Sequence, residues 1–274
     1  MTRPTPVVRS AEWIDREYGR EKWPAVLSRI DAELAAGETD LARVLSAVKR
    51  WESASADDRD LSVVVAGHAL HLPRSFALHG GLGLILEKLV ARSASAEAII
   101  ELGSGWGFNL FHLWLNGGPR AARYFALEYT QAGRQCTERL AGLQRNLDIT
   151  VMPFDYYAVN LEPLGRFSGR VFVFSCFSID QIPQLPAAIF LALRKLAKRV
   201  DGIHFEPAGW QMEGDRCVGS SQGYAETHDY NRNLWPLLNE LQDDGLLRIE
   251  ACCANLFGQN AENSAAMLSW SMGA

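Results

Sequence analysis

Apolar positions follow two grammars along this chain, and the change comes near residue 96. Before it, Trp23, Val26, Leu27, Ile30, Leu34, Leu41, Val44 and Val48 recur at three- and four-residue steps, which predicts helix through most of residues 12–51. Residues 61–73 are valine-rich and predict two short strands bent at Gly67. A helix over 82–91 and a polar break at 92–96 follow. Beyond the break, strands are predicted over 98–102, 124–127, 149–152, 171–174 and 203–205, with helical patterns between most of them, notably 131–143 and 185–197. A further helix is predicted over 224–241. Strands separated by crossover helices make a parallel sheet with helices on both faces. The last two predicted strands, 246–255 and 265–271, are too close for a crossover and should pair antiparallel. The expectation is an α/β, doubly wound, mostly parallel seven-stranded sheet ending in an antiparallel pair. A mainly helical cap or substrate region, residues 1–95, precedes a ligand-binding domain, residues 96–274.

Composition narrows the function. The 274 residues are 48% hydrophobic and 22% charged, the balance of a globular chain. A net charge of −5 argues against nucleic acid held by a broad basic face, and the Arg194, Lys195, Lys198, Arg199 cluster suits the solvated side of a helix. No run of about 18 apolar residues spans a membrane, and residues 1–13 lack the apolar stretch of a signal peptide. Five cysteines without a CxxC pair fit a reduced cytoplasm. His68 and His71 have no nearby Cys, His or acid to complete a ligand set, so no metal is expected. The sequence sets no oligomeric state.

The run Ile99-Ile-Glu-Leu-Gly-Ser-Gly-Trp-Gly107 lies between a strand and a helix and forms a tight turn that a ligand can approach closely. Dinucleotides and S-adenosylmethionine both use such turns. The dinucleotide fingerprint needs a third glycine where Phe108 stands, and Glu101 would repel a pyrophosphate while facing an ammonium favourably. Glu128 ends the next strand, where an acid binds ribose hydroxyls in either ligand class.

Glu101-Leu-Gly-Ser-Gly-Trp-Gly107 resembles the first motif of class I S-adenosylmethionine-dependent methyltransferases, and Glu128 resembles their ribose-binding acid. Asp155, in Met152-Pro-Phe-Asp-Tyr156, is similar to the family's adenine-contacting acid, and the terminal antiparallel pair resembles a fold whose last strand inserts into the sheet. The resemblance covers residue 96 to the C-terminus. It implies a Rossmann-like domain that binds S-adenosylmethionine, releases S-adenosylhomocysteine, and holds the cofactor through Glu101, Gly103, Ser104, Gly105, Trp106, Gly107, Glu128, Tyr129, Asp155, Tyr156 and Ser175. Plainer roles stand beside these: Asp155 as a turn residue and Trp106 as a hydrophobic staple for the next helix.

Chemistry is expected beyond the carboxyl ends of the strands. The fourth predicted strand runs into Phe174-Ser-Cys-Phe-Ser-Ile-Asp-Gln-Ile-Pro183, which lacks the acid or Asn, paired prolines and aromatic of amino-group methyltransferases. The magnesium-dependent catechol type needs several carboxylates here, and only Asp180 and Glu206 are available. The loops after the fifth strand are rich in Tyr, Asn, His and Trp, which nominates His228, Tyr230 and Glu206 as catalytic and Trp210, Gln211, Asn231 and Asn233 as substrate-binding. His228 is the candidate general base, because imidazole titrates near neutrality, and a surface helix position is its plain alternative. His112 reads as structural. Trp13 or Trp23 is expected to close a lid above the site. These features imply methyl transfer to an oxygen, or less readily a nitrogen, of a small molecule or peptide natural product. The alternatives are a non-catalytic S-adenosylmethionine- or nucleoside-binding subunit and a nicotinamide-dependent oxidoreductase.

Overall fold

The computed structural model describes residues 8–54, 60–213, 221–258 and 260–273. Nine strands form one sheet: β1 (Leu61–Val65), β2 (His68–Leu72), β3 (Ala96–Leu102), β4 (Arg123–Glu128), β5 (Ile149–Pro153), β6 (Arg170–Cys176), β7 (Val200–Glu206), β8 (Arg248–Gly258) and β9 (Ala265–Met272). Their spatial order is β2-β1-β8-β9-β7-β6-β3-β4-β5. β5, β4, β3, β6 and β7 run parallel, and the final strand β9 inserts antiparallel between β7 and β8.

The sheet has two strands more than the seven expected. The valine-rich segment is a hairpin whose turn residues Ala66 and Gly67 both have positive φ (48° and 81°), the geometry that matches strand twist in a two-residue turn. The hairpin docks on the far end of the 11-residue β8, pairing Val64 with Gly258 and Val65 with Phe257. Ordinary alternation in residues 61–72 does not say which edge a hairpin will find.

Burial on both faces follows from alternation. In β3, Ala98, Ile100 and Leu102 point into one core and Ile99 into the other, and β4 and β6 divide in the same way. The first core is closed by helices α7 (Ala188–Arg194) and α10 (Leu234–Asp243). The second is closed by α2 (Trp23–Ala35), α3 (Leu41–Glu52), α4 (Arg74–Ser93), α5 (Phe108–Leu115) and α6 (Gln131–Ala141).

Two helices depart from the pattern. Residues 11–35 are continuously helical, from α1 (Ala11–Ile14) to α2, but Asp15–Lys22 winds as a π-helix. The expected helix over 224–241 is instead α9 (Ser221–Thr227) and α10, separated by six residues. Asp229 holds a φ of 53° there, and the Asn231 side chain accepts from the backbone N–H groups of Asn233 and Leu234. Asn competes well for backbone partners in this way, and it starts a new helix instead of continuing the old one.

Candidate functional site

Chain direction reverses its sideways progress at β3, which is followed on one side by β4 and bordered on the other by β6. A crevice opens where neighbouring connections leave in opposite directions, and ligands of open α/β sheets bind there. A cavity of about 790 Å³, counting its open mouth, lies at this point. Its floor includes Gly103, Gly105, Glu128, Tyr129, Thr130, Asp155 and Tyr156, and its rim after β6 includes Phe177, Ser178, Gln181 and Ile182.

The glycine turn is as tight as its sequence requires. Gly103, Gly105 and Gly107 have φ of 66°, 55° and 80°, a region costly for other residues. A Cβ on Gly103 would land on the Ser178 hydroxyl. One on Gly105 would sit 2.9 Å from the Trp23 ring.

The roof comes from the N-terminal helix. Ala11, Ile14 and Tyr18 line the cavity at helical spacing. Five residues on, an α-helix would turn a side chain about 140° away. The π-turn removes this offset: Trp23 N–H donates to the Tyr18 carbonyl, and the two rings stand 5.5 Å apart above the glycine turn. Trp23 thus covers the glycine turn and not the acceptor residues above which it was expected, while Trp13 stacks on Arg9.

Two buried acids flank the glycine turn: Glu128 lines the cavity, whereas Glu101, just before the turn, does not. Glu101 Oε1 accepts from Asn109 Nδ2 at 2.9 Å, and its Oε2 has no hydrogen-bond partner among the described residues. Burial pushes its carboxyl up to about 8. Glu128 accepts from Gly105 N–H at 2.9 Å and from both the N–H and hydroxyl of Thr130, at 2.9 and 2.7 Å. Burial raises its carboxyl as well. The backbone N–H at the centre of the turn, which a phosphate-binding loop would present to its ligand, is therefore taken by a carboxylate. The turn and its two acids fit a cationic nucleoside better than a pyrophosphate.

The remaining expected cofactor residues divide. Tyr129, Asp155 and Tyr156 line the cavity, although Asp155 Oδ1 also accepts from Tyr157 N–H at 2.8 Å, the local turn role. Ser104, Trp106 and Gly107 do not line it; Trp106 is buried with its ring 5.0 Å from that of Phe108, the first residue of α5. Ser175 is fully buried and bonds Glu206.

The expected catalytic and substrate residues form the framework behind the cavity. Glu206 is 1% exposed and accepts from Ser175 Oγ (2.6 Å) and from the N–H groups of Ser178 and Asp180 (3.1 Å each), tying down the loop after β6. His228 stacks on Tyr224 with its Nδ1 2.8 Å from the Tyr224 carbonyl. Gln211 donates to the Asn231 carbonyl at 2.7 Å, Asn231 to the Ile182 carbonyl, and Asn233 to the Leu185 carbonyl. Trp210 Nε1 is buried without a partner among the described residues. Tyr230 supports the ring stack described next. Apart from the Trp210 indole N–H, the polar groups named here are taken up by one another and by backbone, and none of these residues lines the cavity.

Arg9 was not legible as a site residue. Its guanidinium lies between the rings of Trp13 and Tyr230, 4.4 and 4.6 Å from their centroids. Its Nε donates to the His228 carbonyl at 2.7 Å, and its backbone N–H to Asp229 Oδ2 at 2.9 Å. Asp180 is also deeply buried. Burial raises its carboxyl, and the Arg9 charge is the largest influence opposing this. Among the described residues, no group of three or more His, Cys, Asp or Glu is arranged around a metal position. No helix there is long and apolar enough to cross a membrane.

No protein-family model matches the sequence, and no curated protein does. Solved structures with a similar fold include a SAM-dependent methyltransferase from Aquifex aeolicus, 15% identical over 68% of this chain and 89% of that one, with a TM-score of 0.46. Another is magnesium protoporphyrin IX methyltransferase from Synechocystis with bound S-adenosylhomocysteine, 13% identical over 73% and 87%, TM-score 0.48. A third is an O-methyltransferase of tomaymycin synthesis from Streptomyces achromogenes with bound SAM, 15% identical over 70% and 79%, TM-score 0.46. In this chain the hairpin β1–β2 lies beyond β8 at one edge of the sheet, and β9 lies between β7 and β8.

Proposed function

We propose that the protein is an S-adenosylmethionine-dependent methyltransferase acting on an oxygen of a small molecule or peptide natural product in the cytoplasm. The observation that carries the reading is Glu101: a buried carboxylate at the end of β3, next to a turn of three positive-φ glycines, with one oxygen unpartnered among the described residues. An unpaired buried charge is costly, and a ligand ammonium is the group that would relieve it. Glu128 lines the cavity, and the lone pair its three hydrogen bonds leave free would take a ribose hydroxyl.

The bound cofactor supplies an activated methyl group on a positively charged sulfur. The chain's own tasks are then placement and exclusion of water. The Gly103–Gly107 turn allows close approach, and Ile14, Tyr18 and Trp23 cover the site. In-line placement of acceptor and methyl at about 3 Å supplies much of the rate. The oxygen preference rests on the missing amino-group motif after β6.

Calorimetric titration of the full chain with S-adenosylmethionine, S-adenosylhomocysteine and NAD tests the reading. Binding of the first two and not the third is expected. NAD binding without S-adenosylmethionine binding would overturn it.

A further inference from the structure

Where the N-terminal segment meets the loop after β6, polar atoms with complementary needs are left over. Arg9 lines the cavity, and its Nη1 is buried with no acceptor among the described residues. Two aromatic rings and the His228 carbonyl hold the guanidinium in place, so Nη1 cannot swing into water without breaking those contacts. Gln181 also lines the cavity; its Nε2 donates to Asp180 Oδ2 at 2.8 Å, and its Oε1 is buried without a donor. Asp180 is 3% exposed, and its Oδ1 likewise has no donor among the described residues. Buried polar groups in folded proteins are nearly always paired, so three orphans on adjoining elements point to a missing ligand.

The chemistry of the orphans limits that ligand. One leftover donor and two leftover acceptors need a group that both accepts and donates. A carboxylate would satisfy Arg9 and be repelled by Asp180. An ammonium would do the reverse. A hydroxyl both accepts and donates, so it suits Arg9 together with one of the two acceptors, of which Gln181 lines the cavity and Asp180, the residue before it, does not. The surrounding walls, Ile14, Tyr18, Phe177 and Ile182, are apolar or aromatic and suit a flat ring.

We propose that Arg9, Asp180 and Gln181 form the acceptor-binding corner and that the group they receive is a phenolic hydroxyl, accepting from Arg9 Nη1 and donating to Asp180 Oδ1. This rests on the methyltransferase reading and names its substrate class. In the reaction, an oxygen lone pair forms the new O–CH3 bond as the C–S bond breaks, and the electron pair of that bond stays on sulfur as a neutral thioether. The phenolic proton passes to the Asp180 carboxylate, leaving a neutral ether. Arg9 stabilises the negative charge that develops on oxygen before the new bond is complete. Asp180 and Arg9 are catalytic residues in this scheme, and Gln181 positions Asp180 through Oδ2.

The test titrates p-cresol into the full chain saturated with S-adenosylhomocysteine, comparing unmodified protein with Arg9→Met, Arg9→Lys and Asp180→Asn. Near-UV circular dichroism confirms folding. The loaded protein should bind p-cresol and bind 4-methylanisole, which lacks the donated hydrogen, about tenfold or more weakly. Arg9→Met and Asp180→Asn should each weaken p-cresol roughly fivefold or more, with S-adenosylhomocysteine affinity unchanged, and Arg9→Lys should restore part of the loss. Equal p-cresol affinity in all four proteins would overturn the proposal. So would absence of p-cresol binding, or loss of S-adenosylhomocysteine affinity in the variants, which would assign the corner to the cofactor. Failure of the unmodified chain to take S-adenosylhomocysteine would remove the methyltransferase reading itself, and this proposal with it.

Discussion

The indole N–H of Trp270 donates to His204 Nε2 at 2.9 Å, and that bond sets the direction of the hydrogen bonds that run from His204 through Ser175 to Glu206. Indole can only donate, so Nε2 must be the accepting nitrogen and Nδ1 carries the hydrogen. Nδ1 then donates to Ser175 Oγ at 3.0 Å, and the Ser175 hydroxyl to Glu206 Oε1 at 2.6 Å. Burial holds the imidazole down to about 3, so it stays neutral across the physiological range. The chain ends at the N–H groups of Ser178 and Asp180, and so fixes the loop that borders the cavity.

Trp270→Phe should therefore cost more than a lost ring edge. It removes a buried donor, leaves Nε2 unpaired and opens space over Gly202, where even a Cβ would run into the indole. A destabilisation of about 2–4 kcal/mol is expected from urea unfolding.

Glu101 should make both stability and cofactor affinity depend on pH. Its folded value, pushed up to about 8 by burial, lies above its unfolded value, so the native state binds the extra proton. This contribution is fully present at low pH and is lost as pH rises from about 4.5 towards 8, at up to about 1.4 kcal/mol per unit. Binding a ligand ammonium favours the carboxylate and should release a proton. S-adenosylmethionine affinity should then rise by up to about tenfold per pH unit below 8 and level off above it. Glu101→Gln should flatten both slopes. Urea midpoints at pH 5–8, and calorimetry in buffers of different ionisation enthalpy, provide the measurements.

Glu128→Ala should weaken S-adenosylmethionine by roughly ten- to a hundredfold through loss of a charge-assisted ribose contact. The three hydrogen bonds from Gly105 and Thr130 add a stability cost of about 1–3 kcal/mol, because their donors are buried. Glu128→Gln retains an acceptor and should recover part of the stability but little of the affinity. Parallel calorimetry and urea unfolding separate the two effects.

Gly105→Val places a branched side chain at a φ of 55° and against the Trp23 ring. Loss of cofactor binding is expected, together with about 1–3 kcal/mol of destabilisation from the strained backbone. Displacement of Trp23 from the roof should appear as a shift in tryptophan emission. Wild-type affinity would place the cofactor elsewhere.

The parallel strands, their antiparallel ending and the glycine turn were written locally. Alternation over 98–102 and its successors reports burial on two faces, a glycine every second residue from 103 to 107 reports a left-handed turn, and Glu128 at the end of β4 lies at the crevice. The acceptor side was not local. A polar loop reads as a substrate wall in sequence, yet Asn231, Asn233, Gln211 and Glu206 have nearby backbone groups to satisfy and are consumed by them. What separates a framework residue from a binding residue is whether its hydrogen-bonding capacity is already used, and only tertiary structure decides that.

Arg9 makes the same point from the other direction. Its partners His228, Asp229 and Tyr230 lie some 220 positions away, and no periodicity links them. The turn that aims Tyr18 and Trp23 together depends on a π-helical register that apolar spacing does not reveal. The sequence by itself determined most of the strands and helices, the antiparallel pairing of the last two strands and the tight glycine turn, because each follows from backbone sterics and burial over a few residues. The roof and the polar corner beneath it were decided by the tertiary structure, because long-range packing chooses which side chains remain unsatisfied at the cavity.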